Sequence, residues 1–193
     1  MKGKLVVFEG LDKVGKTTQI QILSEIFAIE EIKHKVIKFP AKNTPTWDIL
    51  DSYDSEIIDL DPHSAHLIYC ANFWQLQTTI KNLLDDSFIV LVDRYLFSGI
   101  AYSVGYHKLD LDWCINSMSG LIMPDIVFYL YVSEQEQCKR KLGQGRFESI
   151  ETQRNVAKVY NLIDNGWVRI DANGSKSEIS LDIQSHIKNL LEL

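Results

Sequence analysis

The sequence predicts an α/β fold: one parallel sheet covered by helices. Three observations carry the prediction. Short apolar runs without polar alternation recur along the chain, as strands buried on both faces require. Helix-period segments separate them, which is the order of β–α crossovers. The first run ends in a glycine-rich turn that leads straight into a helical segment, FEGLDKVGKTTQ (Phe8 to Gln19).

Taken in order, the expected strands are Lys4 to Glu9, His34 to Phe39, Phe88 to Asp93, Ile126 to Val132 and a weaker Trp167 to Asp171. The first helix is expected over Thr17 to Ala28, with Ile20, Leu23, Ile26 and Phe27 at helical spacing. A long helix is expected over His63 to Leu84. Leu111 to Met118, Ser133 to Leu142, Glu151 to Ile163 and Ile179 to Leu191 complete the set. No repeat, low-complexity tract or Gly/Ser linker interrupts the pattern, so residues 1–193 read as one domain.

Bulk properties exclude several classes. The net charge is −6, from 20 basic and 26 acidic residues, a poor balance for broad nucleic-acid or membrane-surface binding. No segment approaches the roughly 18 apolar residues of a membrane span. The apolar run near the N-terminus is too short for a signal peptide. Cys70, Cys114 and Cys138 are odd in number, far apart and outside any C-x-x-C, so we expect reduced, mostly buried thiols in a cytoplasmic protein.

Gly10, Gly15, Lys16 and Thr17 form G-x-x-x-x-G-K-T between a strand and a helix. The glycines let backbone amides wrap a phosphate chain, and the helix N-terminus adds its dipole. Lys16 would bridge the outer phosphates, and Thr17 would hold Mg²⁺ through its hydroxyl. This predicts a nucleoside triphosphate with magnesium but leaves the reaction open. Asp12 is unexpected in an anion-binding loop.

Asp93-Arg94-Tyr95 follows the third strand, where ligands of open α/β sheets gather. Asp93 would hold Mg²⁺ or act as base toward a hydroxyl acceptor, and Arg94 suits a phosphate. The alternative is a local ion pair capping the strand. Lys13, Lys16, Lys42, Arg94, Lys139, Arg140, Arg146 and Arg154 supply cations for two phosphate groups in an otherwise acidic chain. On the long helix, Tyr69 and Phe73 lie on a second apolar stripe. Periodicity favours plain core for both over a base-stacking wall.

Four separated blocks carry a family resemblance: FEGLDKVGKTTQ, FP followed by Lys42, HLIYCANFW (His66 to Trp74) and DRYLFSGIAY (Asp93 to Tyr102). Weaker echoes are MPD, GRFE and IDANGSKS. The combination resembles the thymidylate kinases of eukaryotes and large DNA viruses. The resemblance implies a P-loop kinase fold with a five-stranded parallel sheet and a lid over about residues 139–150. It implies a cytoplasmic homodimer that moves the γ-phosphoryl group of ATP onto dTMP with Mg²⁺, giving dTDP and ADP for dTTP biosynthesis.

By position, the resemblance implies that Gly10, Leu11, Asp12, Lys13, Val14, Gly15, Lys16, Thr17 and Thr18 surround ATP. Lys139 or Arg140 joins them from the lid, and Asp171 and Ala172 lie by the adenine. Lys13, Lys16, Asp93 and Arg94 would serve the transfer, with Thr17 and Asp93 at the metal. Asp12 would meet the acceptor sugar's 3′-hydroxyl, and Lys42 and Arg94 its phosphate. Phe39 and Tyr69 would line the base, with Phe73 as a second apolar wall. Ser98, Gly99, Tyr102, Arg146, Phe147 and Gln153 complete the acceptor side.

Lys13 and Lys42 stand where the family usually has Arg, and Phe147 where it usually has Tyr. Phe73 replaces an Arg that donates to a thymine carbonyl. Asn72 or Gln75 is a candidate substitute donor. Two rival readings are a deoxynucleoside kinase, which needs Asp93 as base, and a non-catalytic nucleotide-binding protein. His107 and Lys108 read as a solvated loop, and Asp54, Glu56, Asp59 and Asp61 as a solvated acidic stretch.

Overall fold

The computed structural model describes residues 3–140 and 145–192. Its five strands are β1 (Lys4–Glu9), β2 (His34–Lys38), β3 (Ile89–Asp93), β4 (Ile126–Tyr131) and β5 (Val168–Asp171). They form one parallel sheet in the order β2-β3-β1-β4-β5. β1 pairs with β3 on one side and β4 on the other, so the chain order reverses beside β1. In open α/β sheets the ligand crevice forms at such a switch point, beyond the strands' carboxyl ends. Phe8 is level with Asp93 and Phe128, and Lys38 with Asp93, so the ends of β1, β2 and β3 reach one rim.

Alternate residues feed two cores. Val6 and Phe8 pack with Leu23, Phe27, Ile183 and Ile187 of α1 (Lys16–Ile29) and α9 (Lys176–Leu191). Leu5 and Val7 face the opposite layer, which includes α3 (Pro62–Gln75), α5 (Leu96–Gly105), α6 (Leu111–Ser117) and α8 (Ile150–Ile163). This two-sided burial explains why the strands lack polar alternation. α9 is fixed at its start by a capping box between Ser175 and Glu178.

Several expectations change. The long helix is two, α3 and α4 (Gln77–Asp85), broken at Leu76. Gln77 locks the break: its amide donates to the Phe73 carbonyl and exchanges hydrogen bonds with the Tyr95 hydroxyl. It also accepts from Ile122 N. α2 (Trp47–Asp54) occupies a segment where no helix was expected. The acidic stretch after it is not simply solvated, because Asp61 caps α3 by accepting from His63 N and Ser64 N. α5 was also not expected; eight of its ten residues are buried, so no polar face marks its period.

α7 (Glu134–Lys139) is shorter than predicted and is capped by the Ser133 hydroxyl. Residues 141–144 of the expected lid lie outside the described residues. Cys70 and Cys114 are free and buried.

Candidate active site

The turn after β1 takes backbone conformations its glycines permit. Gly10 has φ 137° and Gly15 φ 107°, positive values that L side chains rarely adopt. A Cβ on Gly10 would also lie 2.3 Å from the Leu130 carbonyl oxygen. Lys13 sits at the loop's tip with φ 60°. Val14 is buried beneath it. Lys16 opens α1, and its ammonium folds back to donate to the carbonyls of Gly10 (3.0 Å) and Leu11 (2.6 Å). Burial, together with Arg94, pushes its pKa down to about 7 against the pull of Asp12, Asp93 and Glu9. Thr18 follows Thr17 in the first turn of α1.

The Thr17 hydroxyl donates to Asp93 Oδ2 at 2.6 Å, and Lys38 lies 3.6 Å from the same oxygen. A hydroxyl and a buried carboxylate are hard oxygen donors that suit Mg²⁺. Among the described residues no group of three or more His, Cys, Asp or Glu is gathered for a metal. A magnesium ion here would complete its shell with phosphate oxygens and water.

Asp12 is the hub on the other side of the loop. Its Oδ1 accepts from Arg94 Nη2 at 2.5 Å, and its Oδ2 accepts from the Tyr102 hydroxyl and Gln153 Nε2, each at 2.8 Å. Gln153 Oε1 returns the contact by accepting from Asp12 N. Burial raises the Asp12 pKa, but Arg94 and Lys16 with these hydrogen bonds outweigh it and hold the carboxyl below its ordinary range. The Gln153 amide also donates to the Phe147 carbonyl, tying α8 to the later part of the expected lid.

Arg94 leaves β3 with φ 65° and donates through Nη1 to Gly10 O and Ser98 Oγ, each at 3.1 Å. The Tyr102 ring lies 5.4 Å from its guanidinium carbon. Behind it stands Glu9, fully buried at the end of β1. Glu9 Oε1 accepts from Tyr95 N and Ser98 N, and Oε2 from the hydroxyls of Ser98 and Tyr160. The carboxylate therefore caps α5 and, through Ser98, braces Arg94. Burial raises its pKa against the lowering effect of those bonds and of Arg94. Neither Glu9 nor Tyr160 was singled out from sequence; the only local signal is an acid at the end of an apolar strand.

A cavity of about 230 Å³ opens beside this network. Asp12, Arg94, Ser98 and Tyr102 line one part of its wall. Phe39, Pro40, Ala65, Tyr69 and Phe73 line an apolar part. Phe73 is both core and wall: it meets Phe39 and Tyr95 edge-on at 4.9 and 5.7 Å. Gly99 permits this packing, since a Cβ there would lie 3.0 Å from the Phe73 ring. Phe147 closes against Tyr102 and Tyr106. His107, expected in solvent, lines the cavity and bonds the Tyr53 hydroxyl at 2.7 Å. Asp54, also read as solvated, is half-buried in the same wall and accepts the Tyr69 hydroxyl.

Other expected residues stand elsewhere. Arg146 is not in the cavity wall: it donates to Tyr53 O, Ile58 O and Asp59, with the Tyr53 ring 4.1 Å away. Lys42 is exposed, 5.0 Å from the Trp47 ring. Asn72 is unsuited as a substitute donor, because its amide is committed to Ala41, Thr44 and Thr46. At the lid start, Lys139 is exposed beside Glu136, whereas Arg140 donates to Lys13 O and Ala172 O. Arg140 thus joins the phosphate loop to the end of β5. There Asp171 accepts from Asn173, and Ala172 N donates to Tyr131 O.

The thymidylate kinase family model matches residues 8–183. A thymidylate kinase from Dictyostelium discoideum is 37% identical over 188 residues, covering 95% of this chain and 84% of the relative. One from Plasmodium falciparum is 35% identical over 192 residues, covering 98% and 91%. The structure of thymidylate kinase from Candida albicans, described as revealing the origin of that enzyme's broad substrate specificity, superposes with a TM-score of 0.90. It is 28% identical, covering 97% of this chain and 92% of that one. A match that runs from β1 into α9, on a fold that superposes almost throughout, leaves one conclusion: the chain belongs to the thymidylate kinase family.

Proposed function

We propose that the protein transfers the γ-phosphoryl group of ATP to dTMP, giving dTDP and ADP. The observation that carries this is the continuity of the cavity wall: Asp12 of the phosphate loop and the aromatic residues Tyr69 and Phe73 line one space. A monophosphate acceptor placed with its base on the aromatic wall has its phosphate beside Arg94 and its sugar beside Asp12 and Tyr102.

A nucleoside monophosphate is already largely dianionic at neutral pH, since its second pKa is about 6. Its oxygen attacks the γ-phosphorus, the bond to the β-phosphate oxygen breaks, and ADP leaves with that electron pair. No residue needs to remove a proton. Catalysis is then positioning plus charge neutralisation. Lys16 neutralises the outer phosphates of the donor, with Lys13 at the tip of the same loop, and Arg94 holds the acceptor phosphate. Asp12 orients Arg94 and the sugar. Thr17 and Asp93 would hold Mg²⁺, which when bound neutralises phosphate charge.

Arg140 is the lid cation we assign to the donor side, with Asp171 and Ala172 beside the adenine. Lys42 and Arg146 would have to leave their present partners to reach an acceptor. The homodimer belongs to the same proposal; Leu67 and Trp74, seven residues apart on α3, are both about half exposed and offer an apolar face for it.

The test is ADP release from MgATP with dTMP, dUMP, dGMP, dCMP and UMP offered singly. The proposal predicts that dTMP is used with high kcat/KM and that no ADP accumulates without an acceptor. Turnover of thymidine but not dTMP would favour a deoxynucleoside kinase. ATP binding without transfer to any monophosphate would overturn the catalytic reading.

A further inference from the structure

A planar base packed on Tyr69 and Phe73 presents its edge to polar groups, and most of those in the wall are already committed. His66 bonds Ser103 through Nδ1 and Ser117 through Nε2, each at 2.7 Å. His107 is held by Tyr53. Phe73 itself has no donor or acceptor.

Asp54 differs. It ends α2, lines the cavity and accepts the Tyr69 hydroxyl on Oδ1 alone, so among the described residues Oδ2 carries no hydrogen bond. The Tyr69 bond fixes the carboxylate at the tip of the ring on which a base would stack. Burial lifts its pKa to about 6, and Asp51 and Asp12 add to this against Arg146 and the Tyr69 bond. The group is thus ionised at neutral pH but poorly solvated. Such a carboxylate accepts hydrogen bonds and repels other acceptors. Glu148 also reaches the wall, with one carboxylate oxygen buried and unbonded among the described residues, but no aromatic partner fixes it.

We propose that Asp54 selects the acceptor's base by accepting a hydrogen bond from a ring N–H on the base's pairing edge. The proposal rests on the assignment of this cavity to a nucleoside monophosphate, and names the group that reads the base within it. Thymine and uracil carry N3–H there. Guanine carries N1–H beside its amino group, both donors. Cytosine and adenine place a lone-pair nitrogen at that position, opposite a carboxylate that cannot donate. The acceptor class is therefore keto bases with a ring N–H.

The probe is dTMP methylated at N3, compared with dTMP in ADP-release assays. In the unmodified protein, methylation should lower kcat/KM by about 10- to 100-fold, the range for losing a hydrogen bond to a charged group. Asp54→Ala should lower dTMP use by a similar factor and handle both compounds equally. Asp54→Asn keeps an acceptor oxygen and should retain part of the discrimination. Tyr69→Phe frees Oδ1 without removing the carboxylate and should retain discrimination too. The unmodified protein should use dGMP in preference to dCMP.

A methylation penalty that survives in Asp54→Ala overturns the role of Asp54 alone. So does dTMP use unaffected by Asp54→Ala, which would leave only a steric contact, or a preference for dCMP over dGMP. Absence of transfer to every monophosphate overturns the assignment of the cavity as well.

Discussion

Glu9 offers the sharpest test of how the site is held together. Replacing it with alanine removes the acceptor for four donors, the Tyr95 and Ser98 amides and the Ser98 and Tyr160 hydroxyls. The two hydroxyls lie 2.8 Å apart and can pair with each other. The Ser98 amide keeps the Tyr95 carbonyl at 3.0 Å, whereas the Tyr95 amide has no other acceptor among the described residues. An unsatisfied buried donor costs about 1–3 kcal/mol, so Glu9→Ala should destabilise by about that much for the Tyr95 amide, with the cavity cost added. That is a measurable part of the roughly 5–15 kcal/mol of a typical domain. Glu9→Gln keeps one acceptor oxygen for the amides and can donate to the hydroxyl oxygens, so it should cost about 1 kcal/mol or less. It loses the charge that faces Arg94, and its larger effect should be on the acceptor's KM. Urea unfolding at constant m-value measures the first quantity and steady-state kinetics the second. Glu9→Ala within about 1 kcal/mol of the unmodified protein, or Glu9→Gln as unstable as Glu9→Ala, would refute this account.

Three further outcomes are expected. Asp12→Ala should raise the acceptor's KM or lower kcat by tenfold or more, about 1.4 kcal/mol, while ATP affinity changes little; the reverse pattern would place Asp12 on the donor side. Gly10→Ala meets both the Leu130 carbonyl and a φ of 137°, so it should cost about 2–4 kcal/mol in urea unfolding; an unchanged midpoint would contradict the close approach.

His66 gives the pH dependence: burial lowers its pKa from 6.5 to about 4. The imidazole is neutral in the fold, and the unfolded chain takes up its proton first as pH falls. Its contribution is fully present above pH 6.5 and is lost as pH falls through about 4, amounting to about 3 kcal/mol. An equally steep loss in His66→Gln would show that other groups carry it.

Much of this architecture was legible because it is local. Parallel strands covered on both faces are apolar at every position, and the phosphate loop compresses its chemistry into consecutive residues from Gly10 to Thr18. Asp93 and Arg94 were legible because they are adjacent in sequence and end a strand. α5 was not, because a helix buried all round has no polar face to mark its period. The break at Leu76 depends on Gln77 reaching Tyr95 and Ile122, contacts made across the fold. Glu9 reads as the last residue of a strand until Tyr160, 151 residues away, is placed against it. Asp54 sits in an acidic stretch whose composition argues for solvent; only the approach of Tyr69 gives it a different environment. Lys42 and Arg146 match by position, yet tertiary contacts with Trp47, Tyr53 and Asp59 hold them elsewhere.

Phosphoryl transfer to a monophosphate by Lys16 and the cavity beyond it is the proposal on which the other roles depend. The most direct measurement is product identification after incubation with MgATP and dTMP, for the unmodified protein and for folded Lys16→Met. The expected result is dTDP and ADP in equal amounts from the first and no transfer above background from the second. Near-normal dTDP formation by Lys16→Met, or ADP without dTDP from the unmodified protein, would contradict it.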